Sequence, residues 1–320
     1  MKGISVKPSQ NFGYYGPGSV TWKVGREAVV ILGGSRAVLM QLAHPLIAMG
    51  VSAHSSYMTD PLGRAERTFV LGELLTFGSV EKARKAARTI NRLHFHVHGT
   101  LPIDAGAFDR GTCYDARNQE LLLWVHATLI DTLLLCYPLF IGPLTAAEQE
   151  AYYQESKGIA CLLGLQPENM PRTVNDLQQY VNDMVHSNRL AATPQARQLA
   201  RQVLFPPIPT IYRPLMHLHL QLTCALLPQP VREIYGLEWD MLRQHIFDLS
   251  ARGMRAIIPH LPMHLRELPI TRRLIHETVS ENDVKYARHI LHHSPLDSKP
   301  SGHNCRCRYP LPEGVGECFA

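Results

Sequence analysis

Within Leu121–Phe140, LLLWVHATLIDTLLLCYPLF, an almost wholly apolar run carries one imidazole, His126, and five residues later one carboxylate, Asp131. At helical spacing Leu122, His126, Ile130 and Leu133 share a face, each three or four residues from the next. A neutral imidazole in apolar surroundings, with one nitrogen free, is what a haem iron or another metal takes from its protein ligand. On this helix alone the plainer reading is a buried histidine bonded to a backbone carbonyl one turn away.

Other reactive side chains lie upstream. Arg64, Arg67 and Thr68 follow the turn Asp60-Pro61-Leu62-Gly63 at i, i+3 and i+4 and so share a helical face. Two guanidiniums side by side repel each other unless an anion lies between them. Their planar fork suits a carboxylate or propionate, and plain surface exposure is the alternative. His44 precedes Pro45 in an apolar stretch, where a satisfied core histidine is the ordinary case, and His54 follows it. His94 and His98 stand four residues apart, a spacing that chelates a metal only where the helix continues that far, and no third partner is in view. In the tail, His303, Cys305, Cys307 and Cys318 form a conceivable four-ligand set. Cys305 and Cys307 are closer together than a zinc knuckle prefers, and a tail packing lightly on the body is the simpler reading.

The elements that must position these groups are helical. Trp22–Leu32 reads as a helix stopped by Gly33-Gly34, with Ser35 capping the next one. That next helix, Arg36–Gly50, is apolar nearly all round and should be buried, with a kink at Pro45. Val80–Val97 is a further helix and Leu101–Tyr114 a loop, after which Asp115 is placed to cap the central helix. That helix is expected to run to about Tyr137 and end before Pro138. Thr145 with Glu148, and Thr173 with Asp176, have the spacing of capping boxes. Helices are also expected at Pro194–Leu204, Tyr212–Leu227, Val231–Tyr235, Asp240–Ala256 and Glu281–His292. With no convincing alternating strands, glycine-rich phosphate loop, Gly-x-Ser-x-Gly elbow or internal repeat, the chain reads as all-α. One large domain is expected over residues 20–293, after a lead-in of residues 1–19 and before a Cys-containing tail, 294–320.

Composition agrees with a folded chain of 320 residues: 45% hydrophobic and 18% charged residues supply a sizeable core. The net charge of +5 is concentrated in residues 251–310, which hold ten Lys/Arg against five Asp/Glu. That surplus is too small to argue for nucleic-acid binding, and no aromatic-interleaved basic stripe accompanies it. Of seven cysteines, four are scattered among apolar stretches, where a thiol acts as a small hydrophobe. The N-terminus lacks an apolar signal region, so a reducing, cytoplasmic setting is expected. The central helix is long enough to cross a bilayer, but His126, Asp131 and Pro138 argue for a protein core rather than a membrane span.

Taken in order, Gly34–Ser55 (GSRAVLMQLAHPLIAMGVSAHS), Asp60–Thr68 (DPLGRAERT) and Trp124-Val-His126-Ala-Thr resemble the family of bacterial latex clearing proteins and the fungal MpaB-type oxygenase. Glu148, Tyr152 and Pro171 also fit, so that the likeness covers roughly residues 22–240. The resemblance implies an all-helical haem b protein that uses dioxygen to cleave carbon–carbon double bonds of apolar, isoprenoid-like substrates. It implies His126 as the ligand of the haem iron, with Arg64, Arg67 and Thr68 as the distal polar trio. Arg64 or Arg67 would then donate to oxygen as negative charge develops, Thr68 would relay a proton, and His44 or His54 would serve as base. Two departures stand out. Arg67 occupies a position where the latex clearing proteins have Lys, and no Asp or Glu lies between Glu27 and Asp60 to supply their acidic base. A haem-free lipid or metabolite carrier that kept the fold is the alternative.

Overall fold

In a computed structural model of the protein, residues 13–275 are described. The chain is all-α, with fourteen α-helices among these residues. Helix α1 (Val20–Gly25) starts at Ser19, whose hydroxyl accepts from the Trp22 amide. A 3-10 segment, Ala28–Gly33, then runs straight into α2 (Gly34–Leu42). The glycine pair is therefore no stop, and Ser35 lies inside the helix rather than capping it. Gly33 answers a packing need instead, since a Cβ there would lie 2.4 Å from the Thr132 methyl and 2.6 Å from the Cys136 sulfur.

The expected single helix with a kink is two helices. After α2 the chain turns so sharply at Ala43-His44 that the stretch Ala28–Leu42 and α3 (Pro45–His54) meet at 104°. Pro45 takes the first helical position, where its missing N–H costs nothing, and His44 becomes the extended residue before it. Asp60 and Pro61 act alike: the Asp60 carboxylate caps α4 (Pro61–Phe77) by accepting from the Gly63 amide. Helix α5 (Val80–Phe95) ends before His98, which instead begins a short strand. The expected loop holds a small antiparallel pair, β1 (His98–Thr100) with β2 (Cys113–Asp115), in register Gly99 to Tyr114. Two strands of three residues carry too little alternation to be legible beforehand.

Helix α6 (Gln119–Phe140) is the central element. Asn118 rather than Asp115 caps it, because Asp115 is held by Arg117 in an ion pair of 2.7 Å. It also runs through Pro138 to Phe140, since a proline this close to the end removes only one hydrogen bond of the last turn. Trp124, Tyr137 and Phe140 are buried on it, against Leu39 and Met40 of α2. The helix is long and apolar enough to cross a bilayer, yet more than half of its apolar window is buried within the protein. Both capping boxes form, at the starts of α7 (Ala146–Leu162) and α8 (Val174–Val185). Then follow α9 (Pro194–Leu204), α10 (Arg213–Leu226), α11 (Gln229–Tyr235) and α12 (Met241–Ile257), close to the expected bounds. Two short helices, α13 (Met263–Arg266) and α14 (Pro269–Ile275), complete the described chain. The expected helix Glu281–His292, the lead-in up to residue 12 and the cysteine-bearing tail lie outside the described residues. Cys136 and Cys224 are buried, as expected of small hydrophobes, whereas Cys113 is exposed on β2.

Two adjacent residues near the start of the chain are tied to two adjacent residues near the end of the described part. Arg26 donates to Glu267 and Arg266 donates to Glu27, both carboxylates being buried. Helix α14 is joined to α4 through Thr271, whose hydroxyl donates to buried Glu73.

Candidate functional site

His126 lies in the second turn of α6. Its Nε2 is 3.3 Å from the Ser156 hydroxyl of α7, and Ser156 in turn donates to the Tyr153 carbonyl at 2.7 Å. A hydroxyl whose proton goes to a carbonyl is left to accept from the imidazole. That network assigns the proton to Nε2 and the lone pair to Nδ1. Burial, with the Lys157 ammonium adding to it, pushes the His126 pKa down to about 4, so the ring is neutral at physiological pH. The residue as a whole nevertheless keeps some accessible surface. Leu129, three residues on, is 45% exposed although Thr128 and Ile130 beside it are buried. The His126–Leu129 side of α6 is therefore less covered than the side that carries Trp124 and Ala127.

Arg64, on α4, is the distal residue that points inward. Burial lowers its pKa, an effect that the nearby Tyr57 hydroxyl opposes and the Arg67 charge reinforces. Its Nε donates to the Ser55 hydroxyl at 3.1 Å, and its two terminal nitrogens make no hydrogen bond among the described residues. Desolvated guanidinium donors of this kind fit an anionic oxygen. Arg67 is placed differently: it donates to Asp60 at 2.9 Å and to the Ser56 hydroxyl at 2.7 Å. Thr68 is exposed and its hydroxyl donates to the Arg64 carbonyl one turn back, at 2.9 Å. Of the expected trio, the structure leaves the donors of Arg64 available and engages the other two locally.

The two candidate bases are also separated by their surroundings. His44 is only 1% exposed and packs against Phe108 with ring centroids 5.0 Å apart. Neither of its nitrogens has a hydrogen-bond partner among the described residues, and burial together with the Arg189 charge takes its pKa down to about 3. His54 has its Nε2 3.2 Å from the Tyr114 hydroxyl, and burial lowers its pKa against the raising effect of the His98 backbone. His94 stands out instead. It is desolvated, with a pKa near 4, lies within the influence of Arg64 and Asp115, and keeps part of its surface accessible. Its partner in the sequence pattern, His98, is on β1, so the two do not share a helix face. Asp131 belongs elsewhere: it pairs with Arg36 at 2.5 Å, and Arg36 also donates to Thr132 and the Leu226 carbonyl.

Helix α7 meets α6 through Ser156 and α5 through the Leu162 carbonyl, which accepts from Asn91. Ser156 could not be found from the sequence, because thirty residues separate it from His126 and no local spacing joins them. For His94 the signal was present as an i, i+4 pair, but α5 ends at Phe95, and the charge that His94 feels from α4 is that of Arg64. Among the described residues no hydrogen bond or ion pair joins Arg64 to His126.

A histidine with one nitrogen held and the other carrying a lone pair, a less covered helix side beside it and an inward arginine with bare donors are compatible with haem. Comparison with known proteins bears on the same helices. The uncharacterized protein Rv2237 of Mycobacterium tuberculosis is 25% identical over 236 residues, covering 70% of this chain and 88% of its own length. The uncharacterized protein Mb2261 of Mycobacterium bovis matches to the same extent. No solved structure matches. Residues 22–256, which run from within α1 to nearly the end of α12 and include every site residue named above, match the family described as "ER-bound oxygenase mpaB/B'/Rubber oxygenase, catalytic domain", and the chain belongs to that family of oxygenase catalytic domains.

Proposed function

We propose that the protein is a haem b-dependent oxygenase in which His126 holds the iron, acting with dioxygen on a small apolar, isoprenoid-like substrate. The observation that carries this reading is the His126 ring itself: neutral, oriented by Ser156 and set on the less covered side of an otherwise buried helix. Haem, when bound, supplies a redox-active iron at which dioxygen is activated for attack on a carbon–carbon double bond.

The protein's own groups then have separable tasks. Ser156 fixes the tautomer and rotation of His126, as a second hydrogen bond does for histidine ligands generally. Arg64 offers its terminal N–H donors to an anionic oxygen, either a propionate or one that gains charge during the reaction. His94, neutral and within the field of Arg64, can accept a proton at a ring nitrogen. Leu129, exposed one turn from His126, offers apolar surface that favours a hydrocarbon. Arg67 joins this chemistry only where Asp60 releases it.

The visible spectrum of the purified protein tests the reading: a Soret band is expected in the unmodified protein. His126→Ala should lose most of the bound haem while far-ultraviolet circular dichroism stays unchanged. A variant that keeps its haem with an unaltered spectrum would remove His126 from the ligand role. Protein with no Soret band that retains an apolar molecule through purification would favour the haem-free carrier.

A further inference from the structure

Helix α5 keeps two kinds of residue on opposite sides. Ala83, Ala86, Ala87 and Ile90 turn inward, with Leu75 of α4 and Leu162 of α7 in the same apolar cluster. Arg84, Lys85, Arg88 and Arg92 are all exposed, and helical spacing sets them within an arc of about 100° on the side away from the alanines. Phe95, seven residues after Arg88, lies in the same arc; it is 48% exposed, with the Arg117 guanidinium 5.0 Å over its ring. From Lys82 to His98 the chain holds five Lys/Arg and no Asp or Glu, and Glu81 stands at the start of the face.

This stripe does not help the helix that carries it. Arg84, Arg88 and Arg92 succeed one another at i and i+4, where like charges repel. Lys82, in the first turn, is at the end of a helix that favours anions. Among the described residues none of the five cations makes an ion pair, and Arg84 donates to the Tyr14 hydroxyl at 2.9 Å. Repelling cations in a row, on a rigid element and without a counter-charge of the protein's own, are complementary to acidic groups of another molecule.

The composition of the face selects that molecule. It has no exposed aliphatic residue to insert into a bilayer, as a helix lying in a membrane surface needs. A second copy paired through the same face would set arginine against arginine. Single-stranded nucleic acid is held by aromatic rings open to stacking, and the one ring here, Phe95, has a guanidinium over it. Arginines beside an aromatic ring are instead usual anchors of protein interfaces. Their recurrence at every fourth residue matches a helix with carboxylates at the same interval.

We propose that the exposed face of α5 is a docking surface for an acidic protein, engaged through a partner helix that bears carboxylates at i and i+4. This goes beyond the haem reading and does not depend on it, because His94, the group of α5 assigned to that site, lies on the alanine side of the helix. Fluorescence anisotropy with full-length protein at low salt and two labelled, alanine-rich helical peptides provides the test. One peptide carries glutamate at every fourth position and the other glutamine. The glutamate peptide should bind about tenfold more tightly, as three or four exposed ion pairs would give. High salt should remove the difference. Lys85→Gln with Arg88→Glu should erase the preference, whereas Arg252→Glu with Arg255→Glu on α12 should keep it. The first variant places a carboxylate one turn from both Arg84 and Arg92, so its thermal midpoint should not fall. Equal binding of the two peptides would overturn the proposal, as would a preference that survives in the Lys85→Gln, Arg88→Glu variant. So would an oligothymidine strand or phosphatidylglycerol vesicles that bind more tightly than the glutamate peptide and are lost in the same variant.

Discussion

A buried imidazole with both nitrogens unpaired among the described residues, as at His44, is an expensive residue to keep. An unsatisfied polar group in a core costs about 1–3 kcal/mol relative to an apolar one of the same shape. His44→Leu should therefore raise stability at neutral pH by about 1 kcal/mol or more, measured by urea unfolding. The pH dependence gives a second readout. The folded pKa, about 3, is below the unfolded value, so the unfolded chain binds the proton more readily. Stability should fall as pH drops from about 6.5 toward 3, and the Leu variant should lose part of that fall. A variant that is destabilised at pH 7 would show that His44 has a partner after all. At this scale the sequence was informative where one polar residue stood alone, as His126 does. It could not separate Arg64 from Arg67, because the difference lies in which acceptors each meets: Ser55 for the first, Asp60 and Ser56 for the second.

Between elements, the join of α14 to α4 rests on a carboxyl that burial has pushed up to about 7, against the lowering effect of the Thr271 hydroxyl. A folded pKa above the unfolded value means that the folded chain holds the proton longer. Stability linked to Glu73 is therefore present below about pH 4.5 and is lost as pH rises through 7. Above that the loss is on the order of 3 kcal/mol for a shift of this size. Glu73→Gln keeps an acceptor for Thr271 without the titration. It should match the unmodified protein at pH 4.5 and exceed it in thermal midpoint at pH 8. Equal midpoints at pH 8 would place the charged carboxylate in better solvated surroundings. Starts of helices were legible where two capping partners stand three residues apart, at Thr145 with Glu148 and Thr173 with Asp176, but not at α6, where Asn118 rather than Asp115 caps. The 104° turn at His44-Pro45 was seen only as a kink. A proline reports that a hydrogen bond is missing, but not how far the chain turns there.

Across the whole molecule, the reciprocal pairs Arg26–Glu267 and Arg266–Glu27 close the described chain on itself. Removing one member of a buried pair leaves the other charged and unpaired, which costs about 3–5 kcal/mol. Glu27→Ala should lose that much in denaturant unfolding, and Glu27→Ala with Arg266→Met should recover a large part of it. If the double variant is no better than the single one, the pair is not the source of the loss. The all-α class and a large single body were legible from the apolar periodicity. These clasps were not, because more than two hundred residues separate the partners and nothing local in Gly25–Glu27 points to them.

The clasps have a practical bearing on where this protein can be cut. The family correspondence stops at residue 256, just inside α12, and anyone expressing the catalytic domain alone would place the C-terminus there. Such a fragment keeps His126, Ser156, Arg64 and His94, so it contains every group assigned to the chemistry. It lacks Arg266 and Glu267, however, and leaves Glu27 a buried anion without its guanidinium. It also strips Thr271 from Glu73. A carboxylate stranded in this way draws in water or a proton and loosens α1 and α4, the latter being the helix that carries Arg64. The stretch shared with relatives and the stretch that can stand by itself end at different residues, and a soluble fragment with an intact site has to extend to at least Ile275.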